Sequence, residues 1–362
     1  MKKINVANLI PGMITAEDVY TYNNQLIVQK GTELTDKTIT RLEFYSIINV
    51  RIEDEQPVSK ASLQKIADDE EWPYSRLIQA TPEFKEYKAN FDELVDEFSQ
   101  YLNDIVDKSI PINSNEILKR TVGLLDTSSG HVSFFHMLHN MREYDDTTFA
   151  HSINVALLCN ILANWLDFSQ EEIDLATLCG LFHDIGKLAI PNDIIKKPDK
   201  LTEAEYKIVK THTLEGYNML KDQDLNEHIK NAALMHHERF DGSGYPDGST
   251  EENIDIYAQL VAIADVYEAM TAARVYRGPL CPFKVIEIFE KEGYQKYNPL
   301  FVLTFLENVV LTYMNNRVRL SNGVEGDVIF INKYHLSKPL VRFRDNFIDL
   351  SQHPDLFIEE IL

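Results

Sequence analysis

From Phe84 to Val106, apolar side chains return every three or four positions: Phe84, Tyr87, Phe91, Leu94, Val95, Phe98, Leu102, Ile105 and Val106. That spacing predicts one long amphipathic helix, whose stripe serves either as core or as a dimer seam. From about residue 114 to 314 the pattern stays helical. Its successive segments are Ile153–Trp165, Glu171–Phe182, Thr202–Met219, Glu227–His236, Ile256–Ala273 and Pro282–Lys291. Helices that follow one another without strands argue for an all-α domain. The ends read differently. Before the helices, Gly12, Asn23-Asn24 and Gly31 punctuate short runs such as Gln25–Gln29 and Asn49–Ile52, with Thr35–Tyr45 as one short helix between them. After them, Val318–Leu320 and Val328–Ile331 flank Asn322-Gly323 and Gly326 as a hairpin, and Leu340–Phe343 offers a third strand. The expected fold is mainly α, a helical bundle with a small N-terminal α+β domain and a short C-terminal β extension. The expected divisions are 1–55 for the small β-rich domain, 56–113 for a linker and the amphipathic helix, 114–315 for the helical catalytic domain, and 316–362 for the β extension.

Composition narrows the partners. The chain has 362 residues, 44% hydrophobic and 25% charged, enough for a sizeable core in two or three domains of about 100–200 residues each. The formal net charge is −22. Such a surface repels polyanions, so a broad DNA- or RNA-binding face is not expected. A site for a small anion must then be built from a metal or a few placed Lys and Arg residues. Cys159, Cys179 and Cys281 are odd in number and form no CxxC pair, which points to reduced thiols and a cytoplasmic location. The start, MKKINVANLIPGM, lacks the apolar run of a signal peptide. The apolar stretch Val155–Leu166 is broken by Asn160 and Asn164, and none approaches the ~18–20 residues of a membrane span, so no membrane partner is expected.

The chemistry lies in histidines and aspartates within the helical region: His151, His183-Asp184, His212, His236-His237 and Asp265. Each sits in an apolar, helix-forming run, so the polar side chains should face inward. A single inward histidine is usually a hydrogen-bonded core residue. Five of them with two aspartates are costly to bury unless paired or bound to a metal. Mixed imidazole and carboxylate donors suit Fe, Mn, Zn, Ni or Co. Seven donors exceed the need of one tetrahedral ion, and two octahedral ions sharing a carboxylate fit better. Asp184 is the natural bridge, beside His183. Two ions ~3.5–4 Å apart would activate a water and neutralise phosphate oxygens, yielding a hydroxide for in-line attack.

Other residues extend this site. Lys187, four after His183, falls on the same predicted helical face, where it would hold a phosphate or stabilise a leaving alkoxide; the alternative is a surface lysine near a helix end. In HHERFDGSGYP (His236–Pro246), two glycines allow a sharp turn and close approach to a ligand, and Tyr245 offers a ring and a hydroxyl. Arg274, Tyr276 and Arg277 follow Asp265, and two guanidiniums near a metal suggest phosphate recognition; they would otherwise partner a helix dipole.

Together HSINVA, HDIGKLAIP, the following His212, HHERFDGSGYP and ADVYEAMTAARVYR resemble the HD-GYP family of HD-domain phosphohydrolases, over roughly residues 115–315. The resemblance implies an HD-type helical bundle and a cyclic di-GMP phosphodiesterase, giving pGpG and in some members GMP. Some members prefer a mixed guanine–adenine cyclic dinucleotide. It further implies two divalent ions per chain, usually iron, with manganese or others also used. His151, His183, Asp184 and Asp265 would hold one ion; Asp184, His212, His236 and His237 would hold the other. Lys187, Arg274 and Arg277 would contact substrate phosphates, and Gly244 and Tyr245 would line the pocket. Some members recruit a third metal with a Glu one turn before the first His. Thr147 stands there, with Asp145 and Asp146 off that face, so two ions are expected. Glu268, where Asp is commoner, is expected to matter little. A homodimer through the 83–108 helix is a further expectation. The alternatives to catalysis are a non-catalytic cyclic dinucleotide receptor and an HD phosphohydrolase for another phosphoester. Residues 1–55 and the LSNGVEGDV tail resemble units that flank such domains, without identifying a ligand.

Overall fold

The computed structural model describes residues 2–6, 9, 13–20, 26–32, 34–35, 38–39, 42, 47, 49–52, 81–108, 111–127, 131–141, 148–197, 199–272, 278–344 and 346–362. The chain forms two compact units, Met1–Trp72 and Pro73–Leu362.

In the first unit, β1 (Lys2–Asn5), β2 (Val19–Tyr20), β3 (Leu26–Val28) and β4 (Asn49–Ile52) make two antiparallel pairs, β1 with β4 and β2 with β3. Val19, Ile27, Val28, Val50 and Ile52 bury their side chains in a small core with Leu34 and Leu42. Of the expected helix Thr35–Tyr45, Thr38, Ile39 and Leu42 are helical and Thr35 is not. The rest of it, like Gly12 and Asn23-Asn24, lies outside the described residues.

The second unit opens with α1 (Pro82–Lys108). Its stripe is taken up inside the chain: Phe84, Tyr87, Phe91, Leu94, Phe98 and Leu102 are all buried in the main core, and only Val106 is exposed. The stripe is therefore core and is not available as a dimer seam. α2 (Ser114–Thr127) and α3 (His131–Met141) lead to α4 (Thr148–Trp165), which is buried on nearly every side. A helix apolar all round belongs at the centre of its bundle. Around it pack α5 (Gln170–Phe182), started by a capping box between Ser169 and Glu172, and α9 (Ile256–Thr271). Between those two run α6 (Glu203–Lys210), α7 (His212–Leu220) and α8 (Glu227–Met235). The single helix expected over Thr202–Met219 is thus interrupted. Thr211 bends its N–H to the Ile208 carbonyl (3.0 Å), and its hydroxyl donates to the same oxygen (2.8 Å). That tight turn re-aims the chain so that His212 starts a new helix. No helix among the described residues is long and apolar enough to cross a membrane.

After α10 (Pro282–Ile288) and α11 (Pro299–Thr312), the tail forms β5 (Arg317–Leu320), β6 (Glu325–Asn332), β7 (His335–Phe343), β8 (Asn346–Asp349) and β9 (Ile358–Ile361). The β5–β6 hairpin is as the turn residues predict, with Arg317 opposite Asp327. The antiparallel sheet is nevertheless five strands in the order β8-β7-β6-β5-β9, two more than the sequence pattern shows. Glu290, on the wide turn after α10, accepts the Leu336 N–H at 2.6 Å and ties the sheet to the helices.

Candidate metal centre and its loop

Seven donors arrive mostly from helix ends. His151 lies within α4 and Asp265 within α9. His183 caps the C-terminus of α5, with Asp184 next; His212 opens α7; His236 caps α8, with His237 next. His151, His183, Asp184, His212, His236 and Asp265 are buried, and His237 is half-buried. The convergence has a backbone cause. Gly186 lies in the 3-10 turn Ile185–Ala189, and a Cβ there would stand 1.9 Å from the His212 carbonyl oxygen and 2.4 Å from the Gly216 nitrogen. Two backbones touch at this point, which draws His212 to Asp184. The same turn corrects the placement of Lys187. α5 ends at Phe182, so Lys187 sits on the 3-10 turn and not on a continuing helical face. Its ammonium still pairs with Asp184 Oδ2.

Asp184 stands between two groups of nitrogens. Its Oδ2 is 3.5 Å from His151 Nε2 and 3.3 Å from His183 Nε2. Its Oδ1 is 3.3 Å from His212 Nε2 and 3.7 Å from His236 Nε2. Asp265 adds Oδ1 at 3.1 Å from His151 Nε2, and Oδ2 at 3.9 Å from His237 Nδ1. Three triads have donor atoms within 4.8 Å of one another: His151, His183 and Asp265; His183, Asp184 and His236; His212, His236 and His237.

Hydrogen bonds behind the rings set their orientation. His183 Nδ1–H donates to the Gly180 carbonyl (2.7 Å), His212 Nδ1–H to Val209 (2.7 Å) and His236 Nδ1–H to Ala232 (2.9 Å). A carbonyl can only accept, so the proton is on Nδ1 and each Nε2 presents its lone pair to the centre. His151 Nδ1 meets Glu268 Oε2 at 2.5 Å, and Asn154 donates to Glu268 Oε1 at 3.3 Å. Among the described residues, His183 Nε2 and Asp184 Oδ1 are buried without a hydrogen-bond partner. An imidazole lone pair and a carboxylate oxygen both buried and orphaned in one centre make a poor apolar core and a suitable cradle for a divalent cation.

The Gly-rich loop is anchored from below. Glu238, buried, accepts the Asp247 N–H (2.8 Å) on one oxygen and the Ser249 N–H (2.9 Å) on the other. Gly244 passes so close to the preceding chain that a Cβ would lie 2.4 Å from Glu238 Cα. Tyr245 thereby stacks on His237, ring centroids 4.6 Å apart and planes at 26°, with its N–H on the His237 carbonyl (3.2 Å).

Residues 135–300 match the family model described as HD domain. That stretch, which holds all seven donors, is similar to an HD domain. Over 207 residues the chain is 34% identical to a cyclic di-GMP phosphodiesterase of Pseudomonas aeruginosa, covering 57% of this chain and 50% of that protein. Over 145 residues it is 42% identical to the 3'3'-cGAMP-specific phosphodiesterase 1 of Vibrio cholerae, covering 40% of this chain and 34% of that one. It thus spans half or less of these curated relatives. A solved HDG"Y"P protein from Bdellovibrio bacteriovorus aligns at 17% identity with a TM-score of 0.47, covering 85% of this chain and 99% of that one.

Electrostatics of the centre favour cation capture. Burial holds the imidazoles of His212 and His236 below their usual value and takes His237 down to about 3. Burial pulls Asp184 upward, but Lys187, His183 and His212 outweigh it and leave the carboxyl well below the usual range. Asp265 is likewise raised by burial and lowered further by its hydrogen bond to His151 and the surrounding imidazoles. Neutral imidazoles and ionised carboxylates are the protonation states that metal binding requires. Arg274, Tyr276 and Arg277, and Thr147 with Asp145 and Asp146, lie outside the described residues. Glu238 was not picked out by the sequence, and Glu268, expected there to matter little, is the partner of His151 Nδ1. The signal for Glu268 was its position three residues after Asp265 on one helix, which puts both carboxylates on one face.

Proposed function

We propose that this chain is a metal-dependent phosphodiesterase that hydrolyses a cyclic dinucleotide, cyclic di-GMP to pGpG or GMP. The observation that carries the reading is Asp184, buried between two sets of imidazole nitrogens with an oxygen toward each. His151, His183, Asp184 and Asp265 would hold one ion, and Asp184, His212, His236 and His237 the other, iron or manganese suiting this N/O set. Bound there, the ions would supply Lewis-acid activation of water and of the phosphoryl group. The protein's own part is orientation and charge. Backbone carbonyls fix the rings of His183, His212 and His236, and Glu268 fixes that of His151. Lys187 keeps an ammonium beside Asp184, where it would meet a phosphate oxygen or the departing alkoxide. Arg274 and Arg277 would take further phosphate contacts. Gly244 lets the loop approach, and Tyr245 forms a wall of the pocket. The relatives' named activities support this reaction class, and the three reduced cysteines support a cytoplasmic setting. A homodimer formed through the 83–108 helix would have to use its polar face.

The test is an anaerobically iron- or manganese-loaded full chain incubated with cyclic di-GMP, with products separated by chromatography. The expected result is pGpG or GMP, abolished in His183→Ala. No product, with His183→Ala binding the dinucleotide as tightly as the unmodified chain, would establish a receptor instead. Turnover of another phosphoester alone would move the substrate class.

A further inference from the structure

Lys210 closes α6, two residues before His212. Its ammonium lies 5.3 Å from the centroid of the Tyr206 ring and 5.4 Å from that of Tyr245. Tyr206 is one turn earlier on the same helix and is 50% exposed, while Tyr245 carries the stacking contact to His237. Several lysines of this unit are neutralised: Lys187 by Asp184, Lys197 by Glu205 and Lys230 by Glu227. Among the described residues, no carboxylate stands within ion-pair distance of Lys210. In a chain of net charge −22, a lysine seated on two aromatic rings instead of on an acid is a cation kept available to a ligand.

We propose that Lys210, with Tyr206 and Tyr245, forms a subsite that reads a guanine base of the substrate. The inference rests on the cyclic dinucleotide reading above and assigns the base preference within it. Neither Asp184 nor Asp265 is within ion-pair distance of the Lys210 ammonium, whereas the reacting phosphodiester must meet the donors around those two carboxylates. Lys210 stands outside that set of paired donors, and in the proposed subsite it takes the base and not the phosphate. The half-exposed Tyr206 ring offers a flat face on which a purine stacks, while Tyr245, already stacked on His237, bounds the subsite toward the centre. Guanine presents two acceptors, O6 and N7, along one edge, and an ammonium can donate to both. Adenine presents N7 beside an amino donor, which opposes an ammonium. The arrangement favours a guanine over an adenine at this position.

The experiment compares kcat/KM for cyclic di-GMP, the mixed guanine–adenine cyclic dinucleotide and cyclic di-AMP in the metal-loaded full chain and in Lys210→Met and Lys210→Arg, with metal content and thermal melting of each. The unmodified chain should prefer guanine. Lys210→Met should lower the guanine-over-adenine ratio about tenfold, the size of one lost base-edge contact. The change should fall in KM, with metal content unchanged, and Lys210→Arg should restore the ratio. An unaltered ratio, or an equal loss on all three substrates, overturns the guanine reading and makes Lys210 a phosphate contact or a packing residue. An unmodified chain that cleaves all three without preference also overturns it while leaving the phosphodiesterase reading intact. Cleavage of none of them overturns both.

Discussion

Glu268 shows how much a single side chain decides at this centre. Its two oxygens are divided between His151 and Asn154, so one carboxylate fixes a ring that faces both Asp184 and Asp265. A carboxylate behind an imidazole fixes the ring and strengthens it as a ligand, and losing one typically costs ~10–100-fold in metal affinity. Glu268→Gln keeps the shape and removes the charge. It should weaken binding of the first equivalents of Mn2+ by about 10–100-fold in competition with a chelator, while the melting temperature of the metal-free chain moves little. Equal affinity in the two proteins would leave Glu268 without this role. The sequence showed the seven donors, because inward His and Asp residues in apolar runs have few bland explanations. It did not show the importance of Glu268. Spacing along α9 tells which side a residue faces, whereas its partners, His151 and Asn154, come from a helix more than a hundred residues earlier.

At the scale of elements, the site depends on where helices stop. The sequence pattern placed α5 and α8 well, yet it ran α6 and α7 together and extended a helical face through Lys187. The reason is that neither break carries a proline, and Thr211 is an ordinary helix residue whose side chain caps the turn instead. The decisive element contact is the crossing at Gly186, where His212 and Gly216 press against the backbone. Gly186→Ala must push α7 outward by an ångström or more. The expected outcome is loss of about 1–3 kcal/mol of stability in urea unfolding, as for other overpacked sites. A metal content below that of the unmodified chain should accompany it, as His212 leaves Asp184. Full metal content with unchanged stability would show that the crossing does not position His212.

For the molecule as a whole, the buried imidazoles tie stability to pH. His237 titrates near 3 in the folded chain and near ~6.5 when unfolded. Between those values the unfolded chain binds more protons, so stability is present above about pH 6.5 and falls as pH drops toward 3. His212 and His236 are shifted in the same direction, and the depressed carboxyls of Asp184 and Asp265 add a loss at lower pH. In chelator, the urea midpoint of the metal-free chain should be level near pH 7.5 and decline from about pH 6.5 to 5, a window above most carboxyl titrations. A level midpoint down to pH 5 would contradict neutral imidazoles at the centre. The helical architecture, the loop residues and the seven donors were set by the sequence itself, because burial period and donor chemistry are local properties readable residue by residue. Tertiary structure alone decided three things. It divided the oxygens of Asp184 between two groups of histidines, put Glu268 behind His151, and closed β9 onto β5 across some forty residues. Each of these joins segments far apart in the chain, and such a pairing is selected by how the packed helices and strands fit together, which no local pattern of residues encodes.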